Sequence, residues 1–324
     1  MNGTGAERTG ADATGADGTV GAGHAGRHPV AVNPLHFYAT AEGWFDFTAA
    51  PSVEEILEAV AEAGFGAVQT SPPADEPPAR YRARLAAAGL RPGPGYAALV
   101  WDEDPAVRRR DVERVRREAG RLAACGCALA FTALDVDLSA PRMARPARGH
   151  DARPDRLAHV AAHLAEAAGA LRAEGVVPAL HPHVGSWVET ARETAAVLDA
   201  AGPDLAFGPD TGHLAWAGAP LSDILGRYRD RVAGLHVKDM SLAAARTGGQ
   251  AGLDYRSTVA GGLWREPGDG DLDLIALVAG LGADDDCWIV VEVDHSRLDP
   301  RAGLARSAAW VRRLDTALRN AATG

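Results

Sequence analysis

The chain reads as an α/β protein, and the way its elements alternate predicts a closed (β/α)8 barrel. Three observations carry this. Short runs rich in Val, Ala, Leu and Phe recur, each followed by a longer Ala/Glu/Arg-rich segment of helical period. Eight such units fit into about 290 residues, which suits a closed barrel better than an open doubly wound sheet. No G-x-G-x-x-G follows the first apolar run, so a dinucleotide-binding sheet is disfavoured.

Strands are expected near 30–37, 66–70, 91–97, 127–133, 176–181, 205–210, 232–237 and 287–292. Helices are expected near 52–63, 78–88, 105–124, 153–174, 189–201, 219–229, 271–281 and 301–320. The first helix is punctuated at both ends: Ser52 stands at the N-cap, Glu55 three residues on, and Gly64 after the last turn. Segments 134–152 and 239–270 are too long for plain connections. Both follow strands, so both belong on the C-terminal face of the barrel, where substrate loops lie.

Bulk composition bounds the function. Of 324 residues, 47% are hydrophobic, enough for a full core. A formal net charge of −10 repels phosphate backbones, so nucleic acid is not an expected partner. Residues 1–28 are rich in Gly, Ala, Thr and Asp and lack the basic start and apolar run of a signal peptide. They are read as a disordered tail, and 29–324 as one barrel domain. No apolar run reaches transmembrane length, so no membrane partner is expected. Cys125, Cys127 and Cys287 are too few for a disulfide framework, which fits a cytoplasmic protein. The C-x-C pair is read as small buried residues rather than zinc ligands.

Strand parity locates the polar residues. Alternate strand residues share a face. Val177, Ala179, His181 and His183 go together, as do Ala206, Gly208 and Asp210. So do Val232, Gly234, His236 and Lys238, and so do Val290, Glu292 and Asp294. If the bulkier faces pack on the outer helices, four adjacent strands deliver His181, Asp210, His236 and Glu292 to one rim. A register error of one residue in any strand would break the convergence. Carboxylates with imidazoles and no thiolate suit Mn²⁺, Mg²⁺, Co²⁺ or Zn²⁺.

Other residues have two readings. In "DTGH", His213 either lies over the site or belongs to a turn that caps the next helix. Lys238 has the parity of His236 and could hold a substrate oxygen, or it forms a surface pair with Asp239. Glu189 is either a helix-start charge or a group reaching back to the rim. His36 ends the first strand and is either inward and substrate-facing or structural. Trp187, Trp216 and Trp264 sit in loops after strands, where they stack on a sugar or pack the rim.

At these residues the sequence resembles the sugar phosphate isomerase/epimerase family, the xylose-isomerase-like TIM barrels. The matching stretches are "ALHPHVGSWVET", "FGPDTGHLAWAG", "RVAGLHVKD", "GDGDLDL" and "WIVVEVD", in that order over the second half of the chain. The flavour is closest to the inosose dehydratases. The resemblance implies a Mn²⁺-type ion on Asp210, His236 and Glu292, with a fourth ligand from the fifth strand. Many family members have Glu there. Here the position holds His181, so the fourth ligand is either His181 or Glu189. Glu189 is preferred because a third carboxylate better neutralises a hard dication.

The implied activity is isomerisation, epimerisation or dehydration of a keto-sugar or keto-cyclitol through an enediolate intermediate. Glu292, Glu189, His181 and His213 are the catalytic candidates; His183, Lys238, Trp187 and His36 are the substrate-binding candidates. A homodimer is a possible assembly. The rival readings are a metal-dependent phosphodiesterase of the endonuclease-IV type and a non-catalytic sugar-binding subunit. The number of bound metal ions separates the three: one, several or none.

Overall fold

The computed structural model describes residues 23–281 and 287–323. Its barrel strands are β1 (His28–Asn33), β2 (Ala67–Thr70), β3 (Arg91–Leu99), β4 (Leu129–Leu134), β5 (Val177–Leu180), β6 (Ala206–Phe207), β7 (Gly234–Val237) and β8 (Trp288–Glu292). All neighbours pair in parallel, in the spatial order β6-β5-β4-β3-β2-β1-β8-β7. Two parallel bridges, Phe207 to Val232 and Asp210 to His236, join β6 to β7 and close the ring. The expected (β/α)8 barrel is therefore the observed fold.

Local chemistry explains the element ends. Ser52 and Glu55 form a reciprocal capping box ahead of helix Val53–Glu62, as their spacing predicts. Strand β1 stops at Asn33, short of the expected 37, because Pro34 brings no N–H to the ladder and the chain turns into a 3-10 segment, Leu35–Tyr38. The segment with two prolines, "RPGPGYAAL", forms the full nine-residue strand β3.

Residues 23–28, expected within the tail, belong to the fold. His24–Ala25 pairs antiparallel with His28–Pro29, and the Gly26 amide donates to Asp315 of the last helix. Residues 1–22 lie outside the described residues. Among the described residues no helix is long and apolar enough to cross a membrane. Cys125 and Cys127 are both buried, and burial pushes the Cys127 thiol up to about 11. Cys127 Sγ donates to the Leu129 carbonyl, so the pair is internal packing.

Two cores follow from strand alternation. The outward residues Val30, Val32, Val68, Leu180, Leu235, Val237, Ile289 and Val291 join the helices in one large apolar cluster. The inward residues Ala31, Ala67, Phe131 and Val290 form a small separate one. Phe131 fills the barrel interior, and its neighbours are small because it is there. A Cβ on Gly208 would lie 2.7 Å from the Phe131 ring, and one on Gly234 3.0 Å from it.

The two long segments do lie after strands. Segment 135–152 carries helix Pro141–Ala144, and segment 239–270 carries helices Leu242–Ala251 and Tyr255–Ala260 with a ribbon pairing Asp239–Met240 to Trp264–Arg265. Gly208→Val should destabilise the protein by about 1–3 kcal/mol through overpacking against Phe131. Urea unfolding checks this, and an unchanged midpoint would mean that the ring does not constrain the interior.

Candidate active site

Strand β6 ends in the stretch "FGPD". The His236 amide donates to the Pro209 carbonyl at 2.9 Å, which sets Asp210 beside His236 at the seam of the barrel. Asp210 is the N-cap of helix Thr211–Trp216 and accepts the His213 amide on Oδ1 at 2.8 Å. Its other oxygen, Oδ2, is buried and has no hydrogen-bond partner. The helix-capping reading of "DTGH" and the inward reading of Asp210 therefore both hold, one for each oxygen.

The same division recurs at two neighbours. Nε2 of His236 lies 2.9 Å from Gln69 Oε1; donating there fixes the tautomer and leaves Nδ1 as a bare acceptor. Asn33 donates to Glu292 Oε1 at 3.0 Å and leaves Oε2 without a partner. The spare atoms converge: His236 Nδ1 is 3.0 Å from Glu292 Oε2 and 3.9 Å from Asp210 Oδ2. His181 adds an imidazole, its Nε2 4.0 Å from Asp210 Oδ2. Atoms that each sit about 2.0–2.2 Å from one ion lie roughly 3–4 Å apart, so His181, Asp210 and His236 have the spacing of a ligand set, with Glu292 Oε2 beside His236. Phe131 stacks beneath His236 at 4.0 Å between ring centroids and forms the floor.

Charge supports the same conclusion. The Lys238 ammonium is buried 2.8 Å from Asp294 Oδ1, 3.3 Å from Asp210 Oδ2 and 3.7 Å from Glu292 Oε2. Burial alone would lower its pKa, but the three carboxylates outweigh burial and raise it well above the ordinary lysine value. Three carboxyls face one ammonium, an excess of acidic groups that suits a dication. Without that dication, burial pushes the Asp210 and Glu292 carboxyls upward, against the pull of Lys238. Burial also holds His181 and His236 well below the usual imidazole range, in the neutral form that binds metals.

A cavity of about 420 Å³ opens beside the cluster, lined by Asn33, Gln69, Tyr96, Asp135, His181, His183 and Glu292 among others. His183 Nδ1 lies 2.8 Å from the Val184 carbonyl, to which it donates, leaving Nε2 as the acceptor. Burial and then Lys238 lower His183 to about 4, so this ring is neutral near pH 7. His213 is fully buried behind it, with ring centroids 3.7 Å apart and Nε2 3.1 Å from the Lys238 ammonium. His213 and Lys238 stand behind the cavity wall, supporting it.

Three expected site residues lie elsewhere. Glu189 accepts backbone amides of Gly185, Ala147, Arg148 and Gly149 and lies 3.6 Å from the Arg142 guanidinium. Its carboxylate is spent on bracing segment 135–152, and His181 stands in the cluster instead. Trp187 is gripped by the guanidiniums of Arg142 and Arg156, 4.7 and 4.3 Å from its ring, and lines a separate surface cleft. His36 Nε2 donates to the Pro300 carbonyl at 3.0 Å, a structural bond. Trp216 and Trp264 pack on each other and on the loop helices.

Asn33, Gln69 and Asp294 were not among the expected site residues. The parity rule finds the first two when applied to the early strands, since Asn33 shares a face with Ala31, and Gln69 with Ala67.

Gln69→Leu should lower the affinity of the protein for Mn²⁺ by about 10–100-fold, because His236 loses the partner that fixes its tautomer. Calorimetric titration checks this, and an unchanged affinity would remove Gln69 from the site.

His183 also makes a pH prediction for metal-free protein. Its folded pKa is depressed from 6.5 to about 4, so its stabilising contribution is complete above 6.5 and lost as pH falls toward 4. The raised carboxylates act in the opposite sense, so the measurement is a difference. Wild type should lose about 2 kcal/mol relative to His183→Phe between those limits, and parallel stability curves would contradict the assignment.

Comparison with known proteins agrees with the barrel fold. Residues 57–314 match the family model described as xylose isomerase-like TIM barrel. An inosose dehydratase of Geobacillus kaustophilus is 27% identical over 253 residues, covering 75% of this chain and 80% of that protein. The structure of an L-ribulose 3-epimerase superposes with a TM-score of 0.65 at 18% identity, covering 91% of this chain and 97% of the other. A 3-keto-D-glucoside 4-epimerase from E. coli superposes with a TM-score of 0.60 at 16% identity, covering 88% and 98%. With the family match spanning most of the barrel and the cluster at its C-terminal rim, the chain belongs to the xylose isomerase-like TIM barrel family.

Proposed function

We propose that this protein is a divalent-metal-dependent enzyme that removes a proton beside the carbonyl of a keto-sugar or keto-cyclitol, with dehydration as the outcome. One observation carries the reading: Asp210 Oδ2, His236 Nδ1 and Glu292 Oε2 are buried, convergent and without a hydrogen bond, with the Lys238 ammonium as the ionic neighbour of both carboxylates, while Asp210 Oδ1, His236 Nε2 and Glu292 Oε1 are tied down. Asp210, His236, Glu292 and His181 would hold the ion, and Mn²⁺ suits their oxygen and imidazole donors. When bound, the ion supplies Lewis acidity for the carbonyl and hydroxyl oxygens of the substrate.

The protein's own groups do the rest. His183 presents a neutral Nε2 at the cavity and takes the α-proton. The resulting imidazolium returns that proton to the departing β-hydroxyl, so water leaves and no external acid is consumed. Lys238 and Asp294 hold the charge behind His183 and His213. The cavity-facing histidine favours elimination, and the inosose dehydratase similarity supports the same outcome. Isomerisation and epimerisation use the same first step and differ in where the proton returns.

The phosphodiesterase reading is weaker. The second group of potential ligands, His183, His213 and Asp294, already has the Lys238 ammonium on Asp294. That contact, 2.8 Å, is shorter than the 3.3 Å from the same ammonium to Asp210, so a second ion there would compete with it more directly.

The test follows α-deuterium exchange and enone formation with inososes and keto-sugars, alongside metal analysis. One equivalent of metal, exchange with Mn²⁺ and loss of exchange on chelation are expected. Asp210→Asn should abolish exchange with the fold intact, and His183→Gln should keep the metal and lose about 10²–10⁴-fold in rate. Exchange that survives metal stripping, or that His183→Gln leaves unchanged, would overturn the mechanism.

A further inference from the structure

The cavity beside the cluster has a second half that a polyol does not use. Every side chain that segment 34–57 contributes to it is apolar or aromatic, among them Trp44, Phe45, Phe47, Ile56 and Leu57. Phe37, Tyr38, Trp44, Phe45 and Phe47 fall within eleven residues of sequence. The last four of these rings build one wall, while Phe37 packs on the main core: Tyr38 to Phe47 is 4.8 Å between centroids, Trp44 to Phe45 5.4 Å and Phe45 to Phe47 6.0 Å. An antiparallel bridge from Ala39 to Phe45 and a Thr40 amide bond to the Trp44 carbonyl shape the loop that carries them. Phe47 is nevertheless 64% exposed. A large ring left open at the rim of a cavity is an uncovered contact surface rather than core.

A six-membered ring bearing hydroxyls needs hydrogen-bonding partners around its edge and at most one flat platform. The partners lie at the metal end, on Asn33, Gln69, Asp135 and His183. The aromatic end offers contact area but few polar atoms, so a bare polyol placed there would lose its hydration without compensation. The volume, about 420 Å³, falls among pockets that enclose drug-sized ligands, roughly 300–1,000 Å³.

We infer that the substrate is bipartite: a keto-sugar ring whose oxygens face the Asp210–His236–Glu292 cluster, linked to an aromatic substituent that lies against Trp44, Phe45 and Phe47. The inference rests on the proposed function for its sugar half; the aromatic wall carries the other half. The loop 34–47 is then the specificity element of the site. It chooses the substituent and leaves the proton chemistry to the later strands.

Phenyl and methyl β-D-glucopyranosides, which share the sugar and are not oxidised to ketones, separate the halves. Binding to the Mn²⁺-loaded protein is measured by calorimetry. The phenyl glycoside should bind about tenfold more tightly than the methyl one. Trp44→Ala combined with Phe45→Ala should bring the ratio of the two affinities to within about twofold of one, while Trp44→Phe, a flat replacement, keeps the preference. Thermal melts confirm that each variant is folded. Equal affinities in the wild type, no detectable binding of the phenyl glycoside, or a preference that survives the double substitution would each overturn the inference. A phenyl preference without α-proton exchange on any ketone would count against the proposed chemistry and leave the aromatic subsite standing.

Discussion

One side chain, Phe131, sets the geometry of the barrel. It occupies the interior at mid-height, and the inward positions facing it must be small. Gly208 and Gly234 meet its ring directly, and Ala31, Ala67 and Ala179 surround it. Strands β1, β2, β5, β6 and β7 therefore run a small residue past the ring, and the chain two positions later carries a polar one above it. His236 stacks on the same ring, so the apolar filling of the barrel is also the floor of the polar cluster. Packing and chemistry share one constraint, because alternation along a strand ties the residue beside Phe131 to the residue at the rim two positions later.

Above that floor, burial raises the cost of every charge, and the arrangement answers it atom by atom. Asp210, His236 and Glu292 each give one atom to a fixed protein partner and keep one without a hydrogen bond. Lys238 neutralises part of the carboxylate charge from behind, close to Asp294. The remainder suits a divalent ion, and the neutral state of the surrounding imidazoles suits both binding an ion and accepting a proton. A buried Glu189 shows the alternative use of a carboxylate. With four backbone amides pointing at it, it holds a loop in place, with Arg142 close by, and has no bare atom to offer.

The structure also divides labour along the chain. Strands β5 to β8 and their first loop residues carry the titratable groups. Strands β1 and β2 contribute Asn33 and Gln69, which bond ligands and bear no charge. The loop after β1 contributes aromatic wall. This order matches the family resemblance, whose motifs lie in the second half, where the residues proposed to hold the ion and move the proton sit.

Much of this was legible in the sequence, for a physical reason: strand parity is local. Alternation alone placed His181, Asp210, His236 and Glu292 on one rim, and helix periodicity with the Ser52–Glu55 cap placed the elements. Parity carries past the strand ends to His181 and Asp210 because the chain there still follows the ladder; what it cannot reach is a residue where the chain has turned away. Glu189, Trp187 and His36 lie in loops or turns, where direction depends on which backbone amides, guanidiniums or carbonyls come near from distant segments. The ambiguity of "FGPDTGHLAW" had the same origin. Its sequence allowed a helix cap or a site, and only the fold, by bringing β7 alongside, gave Asp210 Oδ1 to the helix and Oδ2 to the cluster. The sequence determined which residues stand at the rim; the tertiary structure decided which of their atoms are free, because a hydrogen bond formed with one partner removes that atom from any other use.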